Sequence, residues 1–311
     1  MARDDGAVRG HETTVRTAVE VDLRRTLASL RRGHRDPAYQ VTTDGAVWRA
    51  TALPSGPATL RLVQTGPCDV HVTAWGAGAA QALAGAPAMV GELDDLAGFD
   101  PPPGPVRDAY RSSSRVRLPR GGRVLEALVP AILEQRVITR TAYDAWQWLL
   151  TRHGTPAPGP APAGMRVPPT AHTWASVPVW DFHRAGVDPR RARAVVAAAR
   201  VAHRLEEAAA HGPAETTRRL LLVPGVGPWT AAETTQRALG DADAVSVGDF
   251  HLPGQVGWAL ARERVDDAGM LRLLEPYRPH RYRVVRHLLL AGLARAPRRG
   301  PRLAIEDHRG R

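Results

Sequence analysis

The chain has 311 residues, 42 basic and 31 acidic side chains, a formal charge of +11 and an isoelectric point near 11.1. All 42 basic residues are arginine, and a lysine-free chain has no lysine amine for Schiff-base chemistry. The single cysteine, Cys68, excludes an internal disulfide, a four-cysteine zinc site and a protein-held iron–sulfur cluster.

The length suffices for two or three packed units. The positive charge fits a polyanionic partner, with DNA the first candidate. Compositional bias is the competing explanation, because arginine without lysine beside abundant Ala, Gly and Pro also marks a GC-rich coding sequence. No apolar run reaches membrane-spanning length. Met1-Ala2-Arg3-Asp4-Asp5 is charged and no apolar segment comes after it, so the expected location is the reducing cytoplasm, in association with the nucleoid.

In chain order, residues 1 to about 20 are polar and aperiodic and are expected to form a disordered tail. Val21 to Leu30 reads as a short helix or a strand-to-helix lead-in. Tyr39–Thr43, Ala46–Ala50, Ala58–Val63 and Val70–Trp75 are short β-prone runs, with a hairpin turn at Asp44-Gly45 and turns at Pro54–Pro57 and Gly66-Pro67. Ala77 to Leu96 reads as small-residue helix broken at Gly85 and Pro87. Residues 21–115 are therefore expected to form an α+β unit, an antiparallel sheet carrying one or two helices with a structural role. Asp100 to Pro105 separates the sheet and its helices from the helical region.

Residues 116–296 read as all-α. Gly121 to Leu133 places Val124, Leu125, Leu128, Val129 and Ile132 on one helical face, with Pro130 as a kink site. Thr139 is expected to cap a second helix holding Tyr143, Trp146 and Leu150. Residues 155–169 hold six prolines and read as extended loop. Asp188-Pro189 starts an arginine-rich helix running to about Ala210, its arginines on a solvated face. Further helices are expected over Gln255–Arg262, from Met270, and over Arg281–Leu293. Residues 297–311 form a basic tail suited to non-specific affinity for a polyanion.

The chain is organised around Leu220 to Pro253. Leu220, Leu221 and Leu222 close a helical run that begins after Pro213, and Val223-Pro224-Gly225-Val226-Gly227 then turns the chain. Pro224 presets φ, and both glycines tolerate φ > 0. Pro228 suits the first position of a second helix, which carries Trp229 to Leu239 and stops at Gly240. The amides of Gly225, Val226 and Gly227 at a helix N-terminus make a site for one backbone phosphate. An ordinary αα-corner is the alternative. Asp249 stands twenty positions after Trp229, in Val247-Gly248-Asp249-Phe250-His251.

Hairpin and aspartate together resemble the helix-hairpin-helix-GPD superfamily of DNA glycosylases, and within it the 3-methyladenine DNA glycosylase II branch. Pro224-Gly225-Val226-Gly227, Trp229-Thr230-Ala231 and Asp249 stand in that branch's order and spacing. The resemblance implies an N-terminal α+β domain followed by a helical glycosylase domain. It implies Asp249 as the catalytic carboxylate, backbone binding by Gly225, Val226, Gly227 and Thr230, and Trp229 in the base pocket. After Ile132-Leu133-Glu134-Gln135, it makes Arg136 the wedge that fills the duplex when the damaged base flips out, with Gln135 beside it. It places a monovalent cation, Na⁺ or K⁺, at the carbonyls of Leu221, Val223 and Val226, with no other cofactor required. The expected partner is double-stranded DNA containing damaged bases, bound by a monomer.

The chain departs from the branch at Arg136, where apolar wedges are usual, at Glu233, where an aromatic is common, and at Leu289, where a stacking Trp stands. Glu233 lies one turn past Trp229 and is expected either to attract a cationic alkylated purine or to be an exposed surface carboxylate. Structural alternatives stand for the others too: Asp249 as a helix cap, Trp229 as core, Arg136 as a phosphate-binding or solvated residue. In related bifunctional enzymes a lysine stands where this chain has Trp229, so the resemblance implies a monofunctional enzyme. The expected function is hydrolysis of the N-glycosidic bond of alkylated purines. A non-enzymatic DNA-binding protein and a glycosylase for another lesion are the alternatives.

Overall fold

The computed structural model describes residues 10–294, and the expected basic tail at 297–311 lies outside the described residues. Five strands, β1 (His11–Arg16), β2 (Tyr39–Val41), β3 (Val47–Leu53), β4 (Gly56–Gln64) and β5 (Asp69–Trp75), form an antiparallel sheet in the order β1-β5-β4-β3-β2. Residues 11–16 are therefore strand and not tail. Thr13, Thr14 and Val15 are β-branched, and β1 covers the outer edge of β5 from His11 opposite Ala74 to Arg16 opposite Asp69.

Period-two alternation gives the sheet two buried faces. Ala58, Leu60 and Leu62 of β4 and Val70, Val72 and Ala74 of β5 pack on α1 (Leu23–Leu27) and α2 (Ala79–Val90). On the opposite face Trp48 and Trp75 stack with ring centroids 5.5 Å apart, under Met165 and Val167. Those last two belong to the proline-rich segment, where β6 (Thr155–Pro156) pairs with β7 (Arg166–Val167), so the expected loop is a lid on the sheet. Helix α2 runs unbroken through Gly85 and Pro87, because Ala82, Ala86, Met89 and Val90 are buried against the sheet; it ends at Gly91, with φ 94°.

The remainder is helical, as expected. One core surrounds α4 (Val124–Leu133), nine of whose ten residues are buried. It is built with α5 (Thr139–His153), α6 (Ala171–Ser176), α7 (Val179–Arg184), α8 (Pro189–Arg200), α9 (Ala202–Ala210), α10 (Pro213–Leu220) and α11 (Pro228–Ala238). A second core joins α12 (Leu252–Ala261), α13 (Asp267–Leu274) and α14 (Arg281–Leu290) to α3 (Pro105–Ser112). Helix α3 thus belongs with the helical part although it precedes residue 116: Val106 and Ala109, one turn apart, are buried in that core. Thr139 is the first helical residue of α5 and makes no cap; Ile138 stands at the cap position. Asp188 does cap α8, accepting from the Arg190 and Arg191 amides. The long arginine-rich helix is divided at Val201. Arg191 is buried, not solvated, and donates to the Leu133 carbonyl at 2.6 Å.

Polar clamps join the units. Glu126 of α4 accepts from Thr51 Oγ1 at 2.8 Å and the Ala52 amide at 2.7 Å, on the stretch of β3 that short β2 leaves uncovered. Asp36 accepts from Trp146 Nε1 at 2.9 Å. Arg283 on α14 forks onto both oxygens of Asp94, at 2.7 and 2.9 Å.

In the α10–α11 hairpin, Val223 N donates to Leu220 O and Val226 N to Val223 O, each at 3.0 Å. Helix α10 ends at Leu220, and Leu221 and Leu222 are exposed. Only Gly225 takes a left-handed backbone, φ 87°, and a Cβ there would meet the Ala194 Cβ at 2.9 Å. Gly227 is extended, φ −108° and ψ −177°, with open space where a Cβ would stand.

These contacts set two expectations for stability. Both side chains of the Asp94–Arg283 pair are 1% exposed, so Asp94→Ala strands a buried guanidinium and should lower unfolding free energy by about 3–5 kcal/mol in urea titration. Gly225→Ala should cost about 2 kcal/mol from φ strain and the contact with Ala194, whereas Gly227→Ala should shift stability by less than about 0.5 kcal/mol. Equal losses in the two glycine variants would contradict the conformational assignment.

Candidate functional site

Asp249 is positioned from three directions. After α11 the chain turns at Gly240, φ 65°, and runs back along the helix. Gln236 pins the returning segment, its Nε2 donating to Ala244 O at 2.8 Å and Ser246 Oγ at 3.0 Å. Gly248, φ 89°, then turns the chain toward α12. Asp249 Oδ1 accepts from the His251 and Leu252 amides at 2.7 and 2.8 Å, satisfying the start of α12, and Oδ2 accepts from Trp229 Nε1 at 3.0 Å. The carboxylate therefore receives the amides leading into α12, two residues before its N-cap His251, and is also tied to the first turn of the hairpin's second helix.

Asp249 lies in the wall of a cavity of about 330 Å³, a size suited to a small organic group. Helix α11 supplies Glu233 and Arg237, α12 supplies Gln255, and α14 supplies Tyr282, Arg286 and Leu289. Ser29, from the N-terminal unit, completes the wall, so that unit shapes the cavity as well as supporting the fold.

The charged groups of this wall are held in place. Glu233 Oε2 pairs with Arg237 Nη1 at 2.7 Å, and Ser246 Oγ donates to Glu233 Oε1 at 2.5 Å. Arg237 Nε donates to Ser29 O at 3.1 Å. Burial alone would lower the Arg237 guanidinium, but Glu233 beside it reverses that and leaves it raised. Arg286 Nη2 donates to Arg25 O at 2.8 Å, while its Nε is buried without a partner. Burial, with Arg237 adding to it, lowers Arg286; an arginine nonetheless remains charged at neutral pH.

Of the residues singled out in the sequence, Asp249, Glu233 and Leu289 line the cavity; Trp229 does not, and reaches it only through its hydrogen bond to Asp249. Glu233 is neither free nor exposed, since both its oxygens are engaged. Gln135 commits its amide nitrogen to Gly225 O at 2.9 Å and Thr230 Oγ1 at 2.8 Å, bracing the α4–α5 turn against the hairpin. Thr230 is buried. Arg136 stands at the tip of that turn, exposed and left-handed at φ 54°. Phe250, next to Asp249, is 86% exposed. Sequence reasoning passed over Arg237 and Arg286. Their signal was helical spacing, Arg237 four after Glu233 and Arg286 three before Leu289. Ser29 had no such signal. Among the described residues no group of three or more His, Cys, Asp or Glu converges as a metal site, and no helix is long and apolar enough to cross a membrane.

No protein-family profile and no curated protein sequence matches the chain. Solved structures do. The 3-methyladenine DNA glycosylase of Archaeoglobus fulgidus aligns at TM-score 0.73 and 18% identity, over 89% of this chain and 97% of the other. The 8-oxoguanine glycosylase/lyase of Clostridium acetobutylicum in its apo form aligns at TM-score 0.68 and 14% identity, over 92% and 99%. The same enzyme in complex with double-stranded DNA containing cytosine opposite 8-oxoguanine aligns at TM-score 0.65 and 13% identity, over 91% and 97%. The five-stranded sheet, the helical remainder and the hairpin thus make up, over nearly the whole chain, the fold of the helix-hairpin-helix DNA glycosylases.

Proposed function

We propose that this protein is a monofunctional DNA glycosylase that hydrolyses the bond between deoxyribose C1′ and a modified purine flipped out of duplex DNA. The observation that carries this is Asp249, a carboxylate fixed by three donors in the wall of a base-sized cavity and tied by Trp229 to the hairpin. Breaking the glycosidic bond builds positive charge on the sugar, and a fixed carboxylate beside C1′ stabilises it. Asp249 also orients the attacking water and takes its proton. The water oxygen bonds to C1′ and the C1′–N electron pair departs with the base; the proton ends on the nitrogen of a base that was uncharged, or in solvent when a cationic base leaves neutral. The target is reached by flipping because it is otherwise inside the stack. Alkylated purines are the class that the resemblance names.

The remaining residues divide the DNA contacts. Val226 N is used within the turn, so the Gly225 and Gly227 amides are the ones offered to a phosphate. Thr230 acts by receiving Gln135, which holds the wedge turn to the hairpin. Arg136, exposed at the tip of that turn, enters the gap left by the flipped nucleotide and stacks through its guanidinium plane. A Na⁺ or K⁺ would be held by the carbonyls of Leu221, Val223 and Val226 and would add positive charge near that phosphate. The Val223 carbonyl accepts one amide and keeps a lone pair, which fits such a ligand. With no lysine, and Trp229 where a lyase lysine would stand, the product is an intact abasic site.

The test compares wild type with Asp249→Asn on methylated duplex and on duplexes carrying single uncharged modified purines. Asn keeps an acceptor for the α12 amides. Base release should fall by roughly 10²-fold or more with duplex affinity retained, and wild-type strand breaks should appear only after alkali. Tight duplex binding by wild type without release of any base would replace this reading with a non-enzymatic DNA-binding protein.

A further inference from the structure

Resting on the glycosylase reading of this cavity, we infer that the pocket selects an uncharged lesion base with hydrogen-bond acceptors along its edge, over cationic N-alkylated purines, and that Arg286 and Arg237 assist its departure. The wall composition supplies the first argument. A cationic purine is held by aromatic faces or by an unengaged carboxylate. Tyr282 is the one aromatic residue in the wall, Leu289 is aliphatic, and Trp229 lies outside it. Both Glu233 oxygens are taken by Arg237 and Ser246. Arg237 and Arg286 both line the same cavity; Glu233 neutralises Arg237, and the charge of Arg286 is the one that repels a cation.

The second argument is the placement of Arg286, whose side chain lines the cavity. A carbonyl or ring-nitrogen acceptor on a base in the cavity would meet this guanidinium. The guanidinium is already placed by its Nη2 donation to Arg25 O, and Arg237 by its Nε donation to Ser29 O. Residues 25–29 of the N-terminal unit therefore hold both donors in advance of binding.

The chemistry agrees. When C1′–N breaks, a cationic base leaves as a neutral molecule and needs no further help. An uncharged purine leaves with an extra electron pair, and negative charge grows on its acceptors until a proton arrives. Fixed guanidinium donors stabilise that charge as it develops.

The experiment measures release of hypoxanthine and of 3-methyladenine and 7-methylguanine from defined duplexes, each expressed as enhancement over its own spontaneous rate, because cationic bases depart faster unaided. Wild type should show at least tenfold greater enhancement for hypoxanthine. Arg286→Met should cut that enhancement tenfold or more relative to the methylpurine enhancement, matching loss of a hydrogen bond from a charged group. The ratio within one preparation is insensitive to a loss of folded protein. Leu289→Trp, at an exposed position that leaves Arg286 in place, should raise methylpurine release several-fold. Greater enhancement for methylpurines in wild type, or a ratio unmoved by Arg286→Met, overturns the inference while leaving the glycosylase reading intact. Release of none of the bases overturns both.

Discussion

Helix α4 is the constraint on which the architecture rests. Nine of its ten residues are buried, so its position is set on every side by packing. From its first turn Glu126 closes the unpaired stretch of β3 and fastens the sheet to the helices. At its last residue the Leu133 carbonyl receives Arg191 from α8. Beyond that end, Glu134 pairs with the buried Arg32 at 3.0 Å, and Gln135 braces the hairpin. A displacement of α4 would move the sheet edge, the α4–α5 turn and the α10–α11 hairpin together.

Charge in the cavity is arranged under a similar constraint. Arg237 and Glu233 lie one turn apart on α11 and neutralise each other at short range. This allows a guanidinium to be buried there at all, since an unpaired one is strongly disfavoured. The pairing also removes Glu233 as a free anion. The positive character of the wall then falls to Arg286, held by backbone carbonyls of the N-terminal unit, while the negative character falls to Asp249, fixed by the amides leading into α12. The sheet domain therefore has a chemical consequence: it supplies the acceptors that orient two donors.

Much of this was legible from local chemistry. Short β-prone runs between turn signals gave four of the five strands of the large sheet, and Pro-Gly-Val-Gly with Pro228 located the hairpin within a residue or two. Asp188 capped its helix as its position before a proline implied. Local signals failed where a neighbour distant in sequence outweighed them. β1 exists because the edge of β5 needed a partner. α2 passes through Pro87 because the sheet holds it. The proline-rich segment gained strands because two tryptophans needed cover. Gly227 was read as conformational, yet its backbone is extended and only Gly225 requires a left-handed turn.

The sequence by itself determined most of the elements and the hairpin, because turn chemistry and apolar periodicity are short-range properties, and its resemblance to a glycosylase superfamily singled out Asp249. It determined too that no lysine nucleophile exists. Only the tertiary structure decided what those residues are free to do. Trp229 gives its N–H to Asp249, Gln135 its amide to Gly225 and Thr230, and Glu233 its charge to Arg237. Hydrogen-bonding capacity is finite, and whether a side chain has any left for a ligand depends on groups that the fold, not the spacing, brings within about 3 Å.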